Sequence, residues 1–182
     1  MMEITRVSCN RCSLLGAGIG FLLVVFGTFS AILFSGCQAS TQPGHQAMDH
    51  QAMIHEMGHG VMPFDLKKTL HVFEMTDSGG IQQVVIRNPV DSSQITLIQQ
   101  HLEHEAMQFR AGNYSDPASI HGAQMPGLKD LAAGAAKVKV EYSALPNGAQ
   151  IAFITGDIHL ITALHRWFGA QLSDHGADAT YR

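Results

Sequence analysis

The stretch LHVFEMTDSGGIQQVVIR, residues 70–87, decides the fold. Residues 70–75 alternate and hold residues that favour β-strands, and residues 81–87 are predicted to be a second strand. The Thr-Asp-Ser-Gly-Gly segment between them has the composition of a tight turn. The stretch therefore predicts a β-hairpin, and Asn88-Pro89 directly after it indicates where the second strand ends.

A helix is predicted after this hairpin. Asp91 or Ser92 can cap a helix that runs to about Arg110, because apolar residues follow at spacings of three and four. Residues 111–127 have the composition of a loop with at most one helical turn, and residues 128–136 that of a short helix.

A second hairpin and a second long helix complete the chain. Residues 137–143 alternate apolar and polar side chains, turn residues follow, and residues 150–155 are predicted to be the returning strand. Asp157 then begins a helix that ends near Ser173 and carries apolar residues along one face.

Two hairpin–helix units in series predict an α+β fold. We expect an antiparallel sheet of about four strands, covered on one face by the two longer helices. The recurrence also suggests an internal duplication, in which residues 80–82 (Gly-Ile-Gln) match residues 148–150 (Gly-Ala-Gln) at the two turn exits.

The first 36 residues have the features of an export signal. Arg6 and Arg11 precede an uncharged, mostly apolar run from Leu14 to Phe34. The run leads into Phe-Ser-Gly-Cys, which resembles the lipobox of bacterial lipoproteins, although Phe34 stands where that pattern prefers leucine. The resemblance implies cleavage before Cys37 and attachment of a diacylglycerol to its thiol. The alternative is an uncleaved anchor, since about 20 apolar residues can span a bilayer.

Export would determine the compartment of the protein and the residue types left in the mature chain to bind a metal. The protein is expected on the periplasmic side of a bacterial membrane, and the outer membrane is favoured because Gln38, not aspartate, follows the cysteine. Cys9 and Cys12 are lost with the signal, so a metal site in the mature chain would use His, Met, Asp or Glu. Residues 37–182 carry nine Lys and Arg against fourteen Asp and Glu, which argues against nucleic-acid binding.

Residues 37–63 are predicted to be a flexible tether to a single domain at 64–182, because they are polar and show no sustained period. Within them, residues 44–62 form a His/Met string. Its predicted metal ligands are His45, Met48, His50, Met53, His55, Met57, His59 and Met62. Thioether is a soft ligand and imidazole a borderline one, so the string suits copper, above all Cu(I), better than zinc, calcium or magnesium. The alternative is a solubilising tether that binds nothing.

The domain holds a second set of candidates: His71, His101, His104, Glu105, His121, Met125 and His165. His101, His104 and Glu105 share one face of the first long helix, so they form a possible metal or acid–base site. A solvated polar face is the alternative. His121 and Met125 lie in the long loop, where ligands are often displayed, and His165 is expected to be partly buried.

Five segments of the domain are similar to a group of small secreted bacterial proteins, some of which are labelled aspartate carbamoyltransferase. They are MPFDL, HVF, IHGAQMPGL, ALHRWFGAQ and DHGAD, and the similarity covers roughly residues 60–180. It implies a shared fold and carries no catalytic residue over. A transcarbamoylase has two α/β domains, a Ser-Thr-Arg-Thr phosphate loop and a His-Pro-x-Gln contact, and neither motif occurs in this chain. Transcarbamoylase activity is therefore not expected.

Three functions stay open. The first is a membrane-tethered periplasmic protein that binds or handles copper. The second is a periplasmic enzyme or a haem or metal redox protein with its centre in the domain, where His121 or His165 with Met125 would be axial ligands. The third is a cell-envelope module that binds a protein partner without metal. The absence of a nucleophile elbow, phosphate loop, HExxH or CxxCH motif disfavours an enzyme.

Overall fold

A computed structural model describes residues 43–182, with side chains from residue 50 onward. The predicted export segment, the predicted lipidation site Cys37 and the side chains of His45 and Met48 lie outside the described residues. None of the described helices combines the length and the apolar composition needed to cross a bilayer.

Five helices and five strands make up the described chain. The helices are α1 (Pro43–Gly58), α2 (Ser93–Arg110), α3 (Ser115–His121), α4 (Leu128–Ala133) and α5 (Ile158–His175). The strands are β1 (Thr69–Thr76), β2 (Gly79–Ile86), β3 (Lys139–Leu145), β4 (Gly148–Ile154) and β5 (Ala179–Tyr181). Single 3-10 turns precede β1, α2, β3 and β5.

The strands form one sheet in the order β3-β4-β2-β1-β5, antiparallel throughout except for the parallel pair β1–β5. Both long helices, α2 and α5, cover the same face. Phe153 of β4 packs against Phe109 of α2 and Trp167 of α5, at ring-centroid distances of 5.7 Å in each case. The predicted α+β fold with two longer helices is confirmed. Strand β5 was missed, because three residues are too few to show an alternating pattern.

The sheet has an internal two-fold relationship about the β2–β4 pair. A Cβ atom on Gly79 would lie 2.0 Å from the carbonyl oxygen of Phe153, and one on Gly148 would lie 2.0 Å from that of Val84. The same offset along the chain relates Gly79 to Gly148 and Val84 to Phe153. This is the symmetry that two repeated hairpin–helix units would produce. The offset between equivalent residues in the sheet is one residue longer than the offset that aligns residues 80–82 with 148–150 in the sequence.

The prediction of a flexible tether is wrong for residues 43–58, which form α1 as part of the same compact unit as the rest of the domain. Ile54 is only 1% exposed, and Gln51 Nε2 donates to the carbonyl oxygen of His175 at 2.9 Å. The composition of α1 explains why it is helical: Ala, Gln and Met favour helices, and Pro43 suits a first turn. The domain therefore begins before residue 64.

The segment 111–127, expected to be mostly loop, contains α3. Asn113 Oδ1 accepts a hydrogen bond from Ser115 N at 3.0 Å where the helix begins, and Pro117 fits within its first turn. Pro117 and Ile120 are buried. Helix α3 thus belongs to the core layer, and this placement brings its polar residues next to α2 and α5.

Candidate functional site

A pocket lies between the helix-facing side of the sheet and helices α2, α3 and α5. Its polar lining residues are His71, Gln82, His101, Glu105, Asp116, His121 and Gln171. Four of the seven domain candidates from the sequence are among them. The free space inside is about 40 Å³, which holds an ion with two or three water molecules and is too small for a haem.

Three potential ligands meet where the pocket opens to solvent. His104, Glu105 and Asp116 bring one donor atom each within 4.8 Å of one another. The first two are consecutive on α2, and Asp116 lies in the first turn of α3. We refer to these three residues as the mouth cluster. Of the three, only Asp116 was missed in the sequence, because its segment was interpreted as a loop.

Glu105 is an unusual member of the mouth cluster because it is only 6% exposed. Burial, and after it a hydrogen bond to Asp116 and the charge of that residue, together raise the pKa of Glu105 to about 8. Glu105 is therefore mostly protonated at neutral pH, with its proton between two carboxyl groups. Such a pair can exchange a proton with a ligand, or it can hold a cation in place of the proton.

His121 reaches the pocket from the end of α3 and is held there by Asp174 of α5. Its Nδ1 lies 2.9 Å from Asp174 Oδ2, and its side chain is 2% exposed. A carboxylate can only accept, so Nδ1 carries the proton and Nε2 keeps a lone pair. Burial lowers the pKa of His121, although Asp174 opposes that shift. The lone pair suits a metal ligand or a general base.

Further imidazoles are buried beside His121. The rings of His71 and His175 stack at 4.6 Å, and His175 lies 4.9 Å from His121 in an edge-on arrangement. Burial, reinforced by neighbouring histidines, lowers the pKa of His71 well below its usual value and that of His175 to about 4. Burial also lowers the pKa of His101 to about 4. These rings are neutral at pH 7 and able to bind a metal.

The three histidines of the His/Met string whose side chains are described have different surroundings. His50 Nε2 lies 3.0 Å from Asp174 Oδ1, and His55 Nε2 contacts Asp178 Oδ2. His59 is exposed. The helical conformation of α1 thus directs two of these imidazoles to carboxylates at the C-terminal end of the domain.

The methionines of the string are divided between core and surface. Met62 is buried and lines the pocket, and Met57 packs against the core. Met53 is 49% exposed. For Met57 and Met62, hydrophobic packing is therefore a sufficient reason for the residue type.

His165 and Met125 lie outside the pocket lining. His165 Nε2 donates to the carbonyl oxygens of Thr76 and Gly79, at 3.1 and 2.8 Å. The predicted partial burial of His165 is confirmed, and its bonds fasten α5 to the β1–β2 turn. Met125 is buried in the core.

Some site residues were missed although the sequence carried a signal for them. Gln82 shares the inward face of β2 with Val84, and Gln171 lies in the apolar stripe of α5. A polar residue on a core-facing position is such a signal. Asp174 and His175 belong to the DHGAD segment, but no pattern along the chain predicts their contact with His121.

No protein-family model, curated protein or solved structure matches this chain. The chemistry of the site therefore rests on its own residues. They combine a carboxyl pair of which Glu105 is buried and Asp116 partly exposed, neutral imidazoles and a carboxylate that orients one of them. These are the components of a metal site or of an acid–base site.

Proposed function

We propose that the protein binds a divalent transition-metal ion at the mouth cluster, as part of copper handling on the outer side of a bacterial membrane. The supporting observation is the spacing of His104, Glu105 and Asp116, whose donor atoms lie within 4.8 Å of one another. His121, oriented by Asp174, is a further ligand from inside the pocket.

Electrostatics favour a cation at this place. The buried carboxyl of Glu105 keeps a proton at neutral pH beside Asp116, and a divalent ion replaces that proton with a larger positive charge. The buried imidazoles are neutral and so donate lone pairs without repelling the ion. Binding releases a proton, so we expect the apparent affinity to fall by up to about tenfold for each pH unit below 8.

The donor set supports copper as the preferred metal. Imidazole and carboxylate ligands bind Cu(II) more tightly than other divalent first-row ions, including Zn(II). The His/Met string would add a separate function: exposed donors of α1 and of the turn after it, such as Met53 and His59, would collect Cu(I), for which a thioether has affinity.

A metal titration tests the domain site. Residues 38–182, freed of metal with a chelator, are titrated with Cu(II) and Zn(II) in competition with a chromophoric chelator. Glu105→Gln removes the carboxyl group that loses its proton to bind the ion and leaves the size of the side chain nearly unchanged, so we expect at least about tenfold weaker Cu(II) binding. Glu103→Gln is the matched control, because Glu103 is exposed two positions away on the same helix.

Two results would contradict the proposal. One is the absence of stoichiometric Cu(II) binding by the wild-type chain. The other is equal affinity in the wild type and in Glu105→Gln, which would mean that any bound copper sits elsewhere, for example at exposed histidines of α1.

Export and lipidation at Cys37 remain part of the proposal, supported by the apolar run and the small residues before that cysteine. In a bacterial host, Cys37→Ala should abolish labelling with a radioactive fatty acid and block processing. A wild-type chain that keeps its original N-terminus at Met1, as measured by mass spectrometry, would overturn this part.

A metal-independent acid–base enzyme is a second candidate. It is favoured by Glu105, with a pKa near 8, in the same pocket as the His121–Asp174 pair, because these are the properties of a general acid and a general base. Hydrolytic activity that persists in excess chelator and disappears in His121→Gln would favour this candidate over the metal site.

A further inference from the structure

Four buried polar atoms around the pocket have no hydrogen-bond partner. They are Gln82 Oε1, Glu105 Oε1, Trp167 Nε1 and Gln171 Nε2, and all four residues line the pocket. Within the described part of the chain, Tyr114 OH is the other buried side-chain atom in this condition. Buried polar groups are rarely left unpaired, because each loses its hydrogen bonds to water. Their concentration at one cavity points to a ligand that pairs with them.

The four atoms define the chemistry of that ligand. The indole N–H of Trp167 can only donate, and the amide nitrogen of Gln171 also donates. Both therefore require an acceptor oxygen on the ligand. The oxygens of Gln82 and Glu105 accept, so they require N–H or O–H groups. A primary amide carries both in one planar group: its oxygen accepts two hydrogen bonds and its nitrogen donates two.

The charge of the lining residues and the size of the pocket restrict the class of ligand further. No Lys or Arg lines the described pocket, so an anion such as a carboxylate or a phosphate would be buried without a counter-charge, at high cost. The free space of about 40 Å³ accepts a group of only a few non-hydrogen atoms. We propose that the inner end of the pocket binds a small uncharged molecule or side group that carries a primary amide.

This inner site shares Glu105 with the mouth cluster but does not depend on a bound metal. Three of its four polar atoms, those of Gln82, Trp167 and Gln171, belong to residues outside the mouth cluster. An amide can bind the metal-free protein, so the test is made in excess chelator. Loss of metal binding would leave the inner site intact, and failure of amide binding would leave the mouth cluster intact.

Trp167 is the single tryptophan of the chain, so its fluorescence reports directly on the inner site. Acetamide is titrated into residues 38–182, because it is the smallest stable probe with the required group. We expect a saturable shift in emission with a dissociation constant of about 0.1–10 mM, the range open to a ligand of four non-hydrogen atoms. N,N-Dimethylacetamide keeps the oxygen, lacks both N–H donors and should produce no saturable change.

Two variants locate the binding. Gln171→Leu removes the amide from the pocket at similar volume and should weaken acetamide at least about tenfold. Gln124→Leu, at an exposed position, is the matched control and should bind like the wild type. If Gln171→Leu does not fold, as judged by near-UV circular dichroism, Gln82→Leu takes its place with the same expectation.

The proposal is overturned by a response to acetamide that stays linear, or by equal responses to acetamide and its dimethyl derivative. Either result would mean that water alone fills the inner pocket. Equal acetamide affinity in wild type and in the folded glutamine variant would also overturn it, because the probe would then bind elsewhere.

Discussion

Asp174 Oδ2 lies 2.9 Å from His121 Nδ1, and this contact joins two residues that are 53 positions apart in the chain, on α5 and α3. The other carboxylate oxygen lies 3.0 Å from His50 of α1. One acidic side chain therefore fixes the orientation of a pocket imidazole and connects it to the N-terminal helix. A substitution that removes either of these two hydrogen bonds should therefore change a measurable property of the pocket.

Asp174→Asn should weaken Cu(II) binding by about 10-fold or more, a typical loss when the partner of a metal-binding histidine is removed. The amide that replaces the carboxylate can donate to Nδ1, which would shift the proton of His121 to Nε2 and block its lone pair. Competition titration measures the effect. Asp130→Asn, at an exposed site, is the control, and an equal affinity in both variants would exclude His121 as a ligand.

Acid should destabilise the domain through its buried imidazoles. The pKa of His175 is lowered from 6.5 to about 4, so the unfolded chain takes up a proton before the folded one does. The stability that His175 contributes is present above pH 6.5 and is lost as the pH falls toward 4, by about 3 kcal/mol. Urea unfolding from pH 7 to pH 4.5 should show this loss. In His175→Phe the free energy of unfolding should depend less steeply on pH. A stability independent of pH would contradict the burial of neutral histidines.

Glu105 should have the opposite pH dependence. Its pKa is raised from 4.5 to about 8, so the folded chain keeps a proton that the unfolded chain releases. The stability of the metal-free protein that depends on this proton is present below pH 4.5 and is lost as the pH rises to 8. Glu105→Gln cannot titrate and should gain stability relative to the wild type between pH 5 and pH 8. If the difference between the two unfolding free energies is constant, Glu105 is ionised throughout.

The helix α1 should be required for full stability. Ile54 is 1% exposed, so Ile54→Ala should cost about 2–5 kcal/mol, whereas Met53→Ala at its exposed neighbour should cost little. A chain that starts at residue 61 should have a clearly lower unfolding midpoint than residues 38–182. Equal unfolding midpoints for the two chains would mean that α1 contributes nothing to stability and acts only as a tether.

The paired glycines of the central strands should not tolerate a methyl group. Gly148→Ala places its Cβ 2.0 Å from the carbonyl oxygen of Val84, so β2 and β4 must separate, at a cost of at least about 2 kcal/mol. Gly169→Ala is the contrast: nothing lies within 4 Å of its added Cβ, and the helix α5 should gain about 0.5–1 kcal/mol. Thermal unfolding of both variants measures the difference, and a neutral Gly148→Ala would place the strands further apart.

The hairpins and the two long helices were predictable because their signals are local. The strand-forming residues and central turn of 70–87, and the apolar stripe of α2, can each be recognised within one short segment. Helix α1 gives no such signal, since its buried surface depends on isolated residues such as Ile54 and on partners more than 100 residues away. Its position is set by tertiary contacts, which a periodicity analysis cannot detect.

The candidate site was predictable only in part, for the same reason. His101, His104 and Glu105 are neighbours on one helix face, so their proximity follows from helical spacing. Asp116, in contrast, reaches Glu105 from α3, a separate helix that the sequence did not predict. The stack of His71 on His175 joins the first strand to the last helix, and nothing in either segment alone indicates it.

The contacts of α1 also impose an order on assembly. This helix leaves the ribosome first among the described elements, yet Asp174 and Asp178, which bind its histidines, follow those histidines by 124 and 123 residues. The core around Ile54 can therefore close only after residues 174–178 have been synthesised. Until then α1 lacks its contacts with α5, so the order of synthesis separates the formation of this helix from its packing.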